Sequence, residues 1–265
     1  MSNPQESHLP PEILDHIVDL LHDHPETLKE CCLVSRSWIP RAQKLLFATV
    51  DFISEGHIKV WKKAFPDPIR SPACYTRNLV VHCAEAITAE DARVGCWLQT
   101  FSRVVRLELN TNPEGSGPTL CFFPFHRFSH SVKSLQVTGS FLLRPQTLRL
   151  IYSLHLLENL ALNGKCVTDW GLPPPADPST SPALTGTLEL ALDGIGTFAR
   201  RLLELPNGLH FRKLVLTYSY NGDLPWIQKL VATCSGTLEC LDVTRFSPGT
   251  ILLRPRSEPV TYLCL

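Results

Sequence analysis

Short segments in which apolar and polar residues alternate recur along most of this chain. Seven of them have apolar residues at their second and fourth positions. The second-position residues are Leu79, Leu107, Leu135, Leu160, Leu190, Leu214 and Leu241. They follow one another in steps of 28, 28, 25, 30, 24 and 27 residues. A period of two predicts strands buried on one side, and the recurring step indicates a structural repeat.

The repeat has a further apolar position, three residues before the aligned leucine. It is occupied in five copies, by Val104, Val132, Leu157, Phe211 and Leu238. The resulting Leu-x-x-Leu-x-Leu skeleton and its period resemble leucine-rich repeats. Such copies stack into a parallel sheet, because each strand is followed by a segment that returns the chain. Val50-Asp51-Phe52 and Leu263-Cys264-Leu265 extend the pattern, so we predict an α/β fold with seven to nine short parallel strands.

Helices are predicted in several segments between the strands. Their apolar stripes are Ile58, Trp61 and Phe65; Ala92, Cys96, Trp97 and Phe101; Leu148, Ile151, Leu154 and Leu157; and Ile227, Leu230, Val231 and Cys234. We expect Thr88 to cap the second of these helices, with Asp91 at the capping-box position, and Asp223 to cap the last. Five prolines within residues 167–186 exclude a helix there, and residues 112–124 are predicted to form a loop.

The first fifty residues have a different pattern, which predicts three short helices. The first carries Ile13, Leu14, Ile17, Leu20 and Leu21 behind Pro10 and Pro11. The second carries Leu28, Cys31, Cys32, Leu33 and Val34, and the third ends at Leu45-Leu46-Phe47. Proline is tolerated in a helix's first turn. Helices this short enclose little core, so we expect a partner or an adjoining domain to cover their apolar sides.

These N-terminal residues resemble an F-box. The family's motif is present as Leu9-Pro10-Pro11-Glu12-Ile13-Leu14, then Leu33-Val34-Ser35-Arg36-Ser37-Trp38, then Leu46-Phe47. An F-box followed by leucine-rich-like repeats resembles the substrate receptors of cullin–RING ubiquitin ligases, and the whole chain is similar to F-box proteins of mushroom-forming fungi. We therefore predict an F-box domain at residues 1–47 and a leucine-rich-repeat-like substrate-binding domain at 48–265.

The resemblance implies that the helices bind a Skp-type adaptor, which connects the chain to the cullin ligase core. The implied adaptor-binding residues are Leu9, Pro10, Ile13, Leu14, Ile17, Leu33, Val34 and Trp38. The link His22-Asp23-His24-Pro25 is longer than in the family's pattern. The detailed contacts around this link are therefore expected to differ.

The repeat domain is expected to bind a client protein through the side chains that flank the inward leucines. These candidate residues, on the predicted concave face, are Arg106, Glu108, Asn110, Ser134, Gln136, Thr138, Asn159, Asn163, Glu189, Asp193, Lys213, Thr217, Asp242 and Thr244. They are small, polar and mixed in charge, which favours a protein ligand over a phosphate backbone. The alternative is that they form only a solvated strand face.

Composition narrows the choice of partners and compartment. Lys and Arg number 25, as do Asp and Glu, so no positive field favours nucleic acid or an anionic membrane. Ten scattered cysteines without a Cys-x-x-Cys pair indicate buried thiols in a reducing compartment. The polar N-terminus is unlike a secretory signal, and no apolar run is long enough to cross a bilayer. We expect a cytoplasmic or nuclear protein.

Catalytic and cofactor motifs are missing from the sequence. Gly164-Lys165-Cys166 lacks the rest of a phosphate-binding loop, and Gly194-Ile195-Gly196 indicates a turn. His126 and His130 could share a helical face but have no acidic or cysteine partner nearby, so we predict no metal site, no cofactor and no catalytic residues. Two alternatives remain: a scaffold that binds the adaptor without directing degradation, and an enzyme without a recognisable motif.

Overall fold

A computed structural model describes residues 10–67, 70–82, 97–110, 123–143, 145–168, 184–205 and 207–245 of the 265. It has a single eight-stranded sheet, in which neighbouring strands follow one another in chain order and every pair is parallel. The strands are β1 (Thr49–Phe52), β2 (Asn78–Val81), β3 (Arg106–Asn110), β4 (Ser134–Leu143), β5 (Asn159–Thr168), β6 (Thr187–Asp193), β7 (Lys213–Tyr218) and β8 (Cys240–Arg245). The α/β class and the parallel sheet predicted from the sequence are confirmed.

Two rows of apolar side chains run across all eight strands on the buried side of the sheet. The first row is Val50, Leu79, Leu107, Leu135, Leu160, Leu188, Leu214 and Leu241, and the second is Phe52, Val81, Leu109, Val137, Leu162, Leu190, Leu216 and Val243. From β1 to β7 every one of these residues is buried. Strands of four to ten residues are stable here because each row packs against the next.

The register of β6 differs from the sequence-based alignment. The residue in line with Leu160 and Leu214 is Leu188, whereas the alignment used Leu190. A shift by two residues leaves the same side chains buried, so the apolar pattern alone could not detect the error. With Leu188 in place, the first row advances in steps of 29, 28, 28, 25, 28, 26 and 27 residues.

Seven α-helices lie within the described residues. They are α1 (Pro11–Asp19), α2 (Pro25–Val34), α3 (Ile39–Leu46), α4 (Glu55–Ala64), α5 (Pro145–Ser153), α6 (Ile195–Leu203) and α7 (Leu224–Cys234). Helices α4, α5 and α6 contact β1, β4 and β6, and α7 packs on α6. Short 3-10 turns occur at Pro72–Tyr75, Trp97–Thr100, Phe123–Phe128 and Asn221–Asp223.

One predicted helix needs correction, and another lies mostly outside the described residues. Helix α5 ends at Ser153, so Leu154 and Leu157 are buried beyond it and not on its face. The predicted helix capped by Thr88 falls mostly on residues 83–96, outside the described part of the chain. Its last turn, Trp97–Thr100, is a 3-10 turn followed by the buried Phe101.

A repeated backbone contact connects six of the seven pairs of neighbouring strands. The carbonyl just before one strand accepts two N–H donors that lead into the following strand: the Arg77 carbonyl binds Val105 and Arg106 at 2.8 and 3.0 Å. The carbonyls of Ala48, Val105, Lys133, Gly186 and Arg212 do the same. Between β5 and β6 the Glu158 carbonyl accepts only the Gly186 N–H, and Asn159 Oδ1 accepts the Thr187 N–H in place of a second backbone bond.

The three N-terminal helices have a small core of their own. Val18, Leu28, Cys31 and Ala42 are buried in it. Helix α3 contacts both α1 and α2, and it also contacts the Pro72–Tyr75 turn at the base of the sheet. The bundle is therefore attached to the sheet through its last helix.

An aromatic cluster continues from the end of α3 into the first coils of the sheet. Phe47 lies 6.0 Å from Trp61, and Phe52 lies 5.6 Å from Trp61 and 5.3 Å from Trp97, between ring centroids. Trp61 also lies 5.5 Å from Phe101. These edge-to-face and tilted pairs bury large apolar areas in specific geometry. They cover the first strand of the sheet.

The two edges of the sheet are therefore unlike. At β1 the inward residues Val50 and Phe52 are 7% and 2% exposed. At β8 the inward Leu241 is only half-buried and Val243 is 39% exposed. The last strand is the least covered of the eight.

Candidate functional site

Large apolar side chains are exposed on the N-terminal helices. Ile13 and Ile17 on α1 are 48% and 38% exposed, and Leu33 and Val34 at the end of α2 are 87% and 72% exposed. Exposed aliphatic residues this numerous on a small bundle are typical of an interaction surface. We refer to these four residues as the apolar patch.

The other predicted adaptor-binding residues lie in different surroundings. Pro10 is exposed just before α1, and Leu14 is half-buried. Trp38 packs against the small core of the bundle, so a substitution there changes the fold as well as the surface. Leu9 lies outside the described residues. Leu20, at 65% exposure, is a surface residue that the resemblance did not include.

An ion pair holds α1 against α3. Both carboxylate oxygens of Asp19 accept hydrogen bonds from the Arg41 guanidinium. This hydrogen bond is the main reason that the pKa of Asp19 lies below its usual value and that of Arg41 above its own. The pair connects the last residue of α1 to α3.

Cysteines of the bundle contribute packing. Cys31 is buried in the bundle core, as predicted, and Cys32 packs against it. Burial raises the pKa of the Cys32 thiol, and the neighbouring Cys31 adds to the effect. A thiol with a raised pKa is a poor nucleophile at neutral pH.

The side of the sheet opposite the apolar rows carries the predicted client-binding residues. We call it the polar face, and three rows define it. The first row is Thr49, Asn78, Arg106, Ser134, Asn159, Thr187, Lys213 and Cys240; the second is Asp51, Val80, Glu108, Gln136, Ala161, Glu189, Val215 and Asp242; the third is Asn110, Thr138, Asn163, Ala191, Thr217 and Thr244. All of the carboxylates of these rows lie in the second row, and both of the cations lie in the first.

Polar side chains are linked across the first strands of this face. His82 Nε2 lies 3.3 Å from Asp51 Oδ1, and His82 Nδ1 lies 3.3 Å from Asn110 Nδ2. Asn110 also donates to Glu108 Oε1 at 3.3 Å, and Arg106 lies 3.9 Å from the other Glu108 oxygen. The predicted client-binding residues do not include Asp51 or His82, although the repeat pattern places Val50-Asp51-Phe52 in an early copy.

The later strands of the polar face carry charges without such links. Arg106 donates to Gln136 at 3.3 Å, and among the described residues of the three rows no later pair of side chains is hydrogen-bonded between strands. Among the described residues, no ion pair involves Glu189, Lys213 or Asp242. Charges at this end are available to a partner.

Three predicted client-binding residues need comment. Glu189 moves into the second row, beside Ala161 and Val215, because of the corrected register of β6. Asp193 moves beyond the three rows to pair with Lys165, and its side chain lies outside the described part. Asn159 is partly occupied within the fold, since its Oδ1 accepts the Thr187 N–H at 2.8 Å.

Elsewhere, the histidines singled out in the sequence do not form a pair. The 3-10 turn that contains His126 ends at Phe128, before His130. His126 Nδ1 lies 2.7 Å from Ser153 Oγ, and burial, then the nearby Arg149, lowers the pKa of its imidazole. The described residues contain no group of three or more His, Cys, Asp or Glu side chains placed to hold a metal ion.

A groove of about 320 Å³ lies between two of the 3-10 turns. Its lining is Leu98, Gln99, Phe101, Ser102, Arg127, Phe128, His130 and Ser131. The lining contains the imidazole of His130 and the hydroxyls of Ser102 and Ser131, and it has no carboxylate or thiol.

Comparison with known proteins adds no relative. No family model, no curated protein and no solved structure matches this chain. In the part of the chain that the structure describes, no helix has the length and apolar character to cross a membrane.

Proposed function

We propose that this protein is a non-catalytic substrate-recognition adaptor of a Skp–cullin–F-box ubiquitin ligase. The N-terminal helices bind a Skp-type adaptor, and the sheet, arranged as a leucine-rich-repeat-like solenoid, binds a client protein. Other subunits transfer ubiquitin. This chain raises the effective concentration of a client lysine near the charged conjugating enzyme.

The exposure of Leu33 and Val34 is the observation that carries the proposal. At 87% and 72% exposed, they are the two most exposed large aliphatic residues of the described chain. They occupy the Leu-Val positions of the F-box motif, which the resemblance assigns to adaptor binding. Burying them against a partner removes apolar surface from water at about 25 cal/mol per Å².

The polar face supports the second half of the proposal. Its three rows present small side chains with both charges, hydroxyls and amides, and no aromatic platform for stacking bases. Such a surface offers hydrogen bonds to a protein ligand. Repeat proteins use extended surfaces of this kind for binding.

Adaptor binding is tested with the full chain and a purified Skp-type adaptor by calorimetry. Replacing a central apolar residue of an interface by a charge typically costs at least ~2 kcal/mol, so Leu33→Glu is expected to weaken binding by about 30-fold or more. Val60→Glu is the matched control, because Val60 is 67% exposed but lies on α4, outside the bundle. Unchanged affinity of the Leu33→Glu variant would refute the assignment.

Client delivery is tested in cells by affinity purification with the Leu33→Glu variant, which would retain clients without passing them to the ligase. Clients captured by this variant should have longer half-lives when it replaces the unsubstituted chain. Adaptor binding combined with unchanged client half-lives would favour the alternative, an interaction scaffold that does not direct degradation.

A further inference from the structure

Among the described residues, strand β8 is an edge of the sheet. Its backbone pairs with β7 on one side only. Its inward residues continue the two apolar rows but are incompletely buried: Val243 is 39% exposed, whereas Leu216, its neighbour in the row, is fully buried. Edge strands of this kind pair readily with a further strand.

The other edge of the sheet shows that exposure is not a general property of an end strand. Phe52 on β1 is 2% exposed, because Trp61 of α4 and Trp97 pack around it. No described residue plays that part at β8. Among the described residues, the apolar rows therefore end at β8 without the aromatic packing found at β1.

On the polar face, β8 carries a carboxylate that a strand added to this edge would contact. Asp242 points to that face between Leu241 and Val243, and Thr244 Oγ1 donates to its Oδ1 at 3.3 Å. Within the described chain, Asp242 takes part in no ion pair, and Glu189 lies in the same row two strands away. A strand added to β8 meets apolar residues on one side and a carboxylate on the other.

A second copy of this chain does not meet that requirement. Two β8 strands related by a two-fold axis would form a continuous antiparallel sheet, in which Asp242 faces another polar-face residue of β8. The polar-face residues of β8 are Cys240, Asp242 and Thr244, and none is basic. Charge complementarity thus favours a different strand.

We propose that β8 binds an extended segment of a partner protein by strand addition, with two apolar side chains that extend the apolar rows and a lysine or arginine between them beside Asp242. Backbone hydrogen bonds to β8 supply affinity, and the alternating side chains supply selectivity. The inference rests on the proposed function only in taking this segment to be part of a client.

The test uses two fluorescein-labelled peptides, with Val-Lys-Val or Val-Glu-Val at the centre of the same Ser-Gly frame, and fluorescence anisotropy with the full chain. Because cross-strand pairs of opposite charge are favourable and like charges are not, the Val-Lys-Val peptide should bind about fivefold more tightly. Asp242→Lys should reverse the order. An order that Asp242→Lys leaves unchanged would overturn the proposal.

The apolar requirement is tested separately. Val243→Glu should abolish binding of the Val-Lys-Val peptide, Val243→Thr should weaken it, and Val60→Glu should leave it unchanged. The thermal midpoint of each variant reports whether it folds. If Val243→Glu does not fold, Val243→Thr still tests the apolar requirement. Equal binding to all of these variants contradicts strand addition at β8.

Two further results would also overturn the proposal. One is that neither peptide binds, as when the chain's own residues after Arg245 occupy the edge. The other is that light scattering shows a dimer that Val243→Glu dissociates, since a second copy then covers β8. The Leu33→Glu variant separates this inference from adaptor binding: it should lose the adaptor and keep the peptide.

Discussion

The carboxylate of Asp223 accepts a hydrogen bond from the backbone N–H of Gly196 at 3.0 Å. Asp223 lies directly before α7, and the sequence suggested that it caps that helix. Its side chain makes no capping bond to α7 and instead reaches the first turn of α6. A carboxylate at a helix N-terminus is stabilised by the unpaired N–H groups and the helix dipole. The contact ties two successive coils together.

Gly196→Ala is predicted to destabilise the protein. A Cβ at this position would lie 2.6 Å from Asp223 Oδ1 and 2.9 Å from Trp226 Cδ1. The neighbours must move, which costs about 1–3 kcal/mol. Gly222→Ala is the control, because a Cβ there meets nothing within 4 Å. Thermal unfolding of the two variants should differ clearly; equal midpoints would contradict the close approach at Gly196.

Asn159→Ala is predicted to lower stability by about 1 kcal/mol, since the Thr187 N–H loses its acceptor. Asn159→Asp keeps an oxygen at the same place and should retain most of the stability. Asn163→Ala, in the third row of the polar face, is the control because no hydrogen bond of its side chain is found in the described structure. Urea unfolding measures the three variants. A loss for Asn163→Ala as large as for Asn159→Ala would argue against a specific role of the bond.

The Asp19–Arg41 pair should make the N-terminal bundle less stable at low pH. Hydrogen bonding from Arg41 lowers the pKa of Asp19 below 3.8, so the unfolded chain binds this proton more tightly than the folded chain. The stabilisation is present above pH 3.8 and is lost as the pH falls through the lower, folded pKa. Since the Asp19 side chain is 38% exposed, the pair is worth only about 0.2–1 kcal/mol.

The measurement compares thermal midpoints of the unsubstituted chain and the Asp19→Asn variant. At neutral pH the variant should be the less stable, and the difference should shrink as the pH falls below 3.8 and Asp19 becomes protonated. A difference that stays constant across this range would show that the ion pair is not its source.

The strands were predictable because their burial depends on a simple alternation. Leu107 and Leu109, for example, are separated by one polar residue, and only one face of the sheet is covered. The same rule failed at β6, because Leu188, Leu190 and Leu192 alternate equally well in either alignment. A shift of two residues preserves the faces, so only tertiary contacts determine it.

Side-chain contacts between successive repeats could not be predicted from the sequence. Asp223 and Gly196 are 27 residues apart, and Asn159 and Thr187 are 28 apart. A local capping rule assigned Asp223 to its own helix, since such rules consider only neighbours in the chain. Similarly, the pairing of Asp51 with His82 depends on β1 lying beside β2. For the apolar patch, periodicity predicted the helices, but the choice of exposed residues came from the motif.

The order of the strands in the sheet also has a consequence for how the protein unfolds. Each strand is held mainly by the strands before and after it, so loss of one end does not require loss of the whole. Among the strands, we expect the amide protons of β8, beside the incompletely buried Val243, to exchange first and those of the central strands last. Fraying is then expected to start at β8, while the aromatic cluster keeps β1 packed.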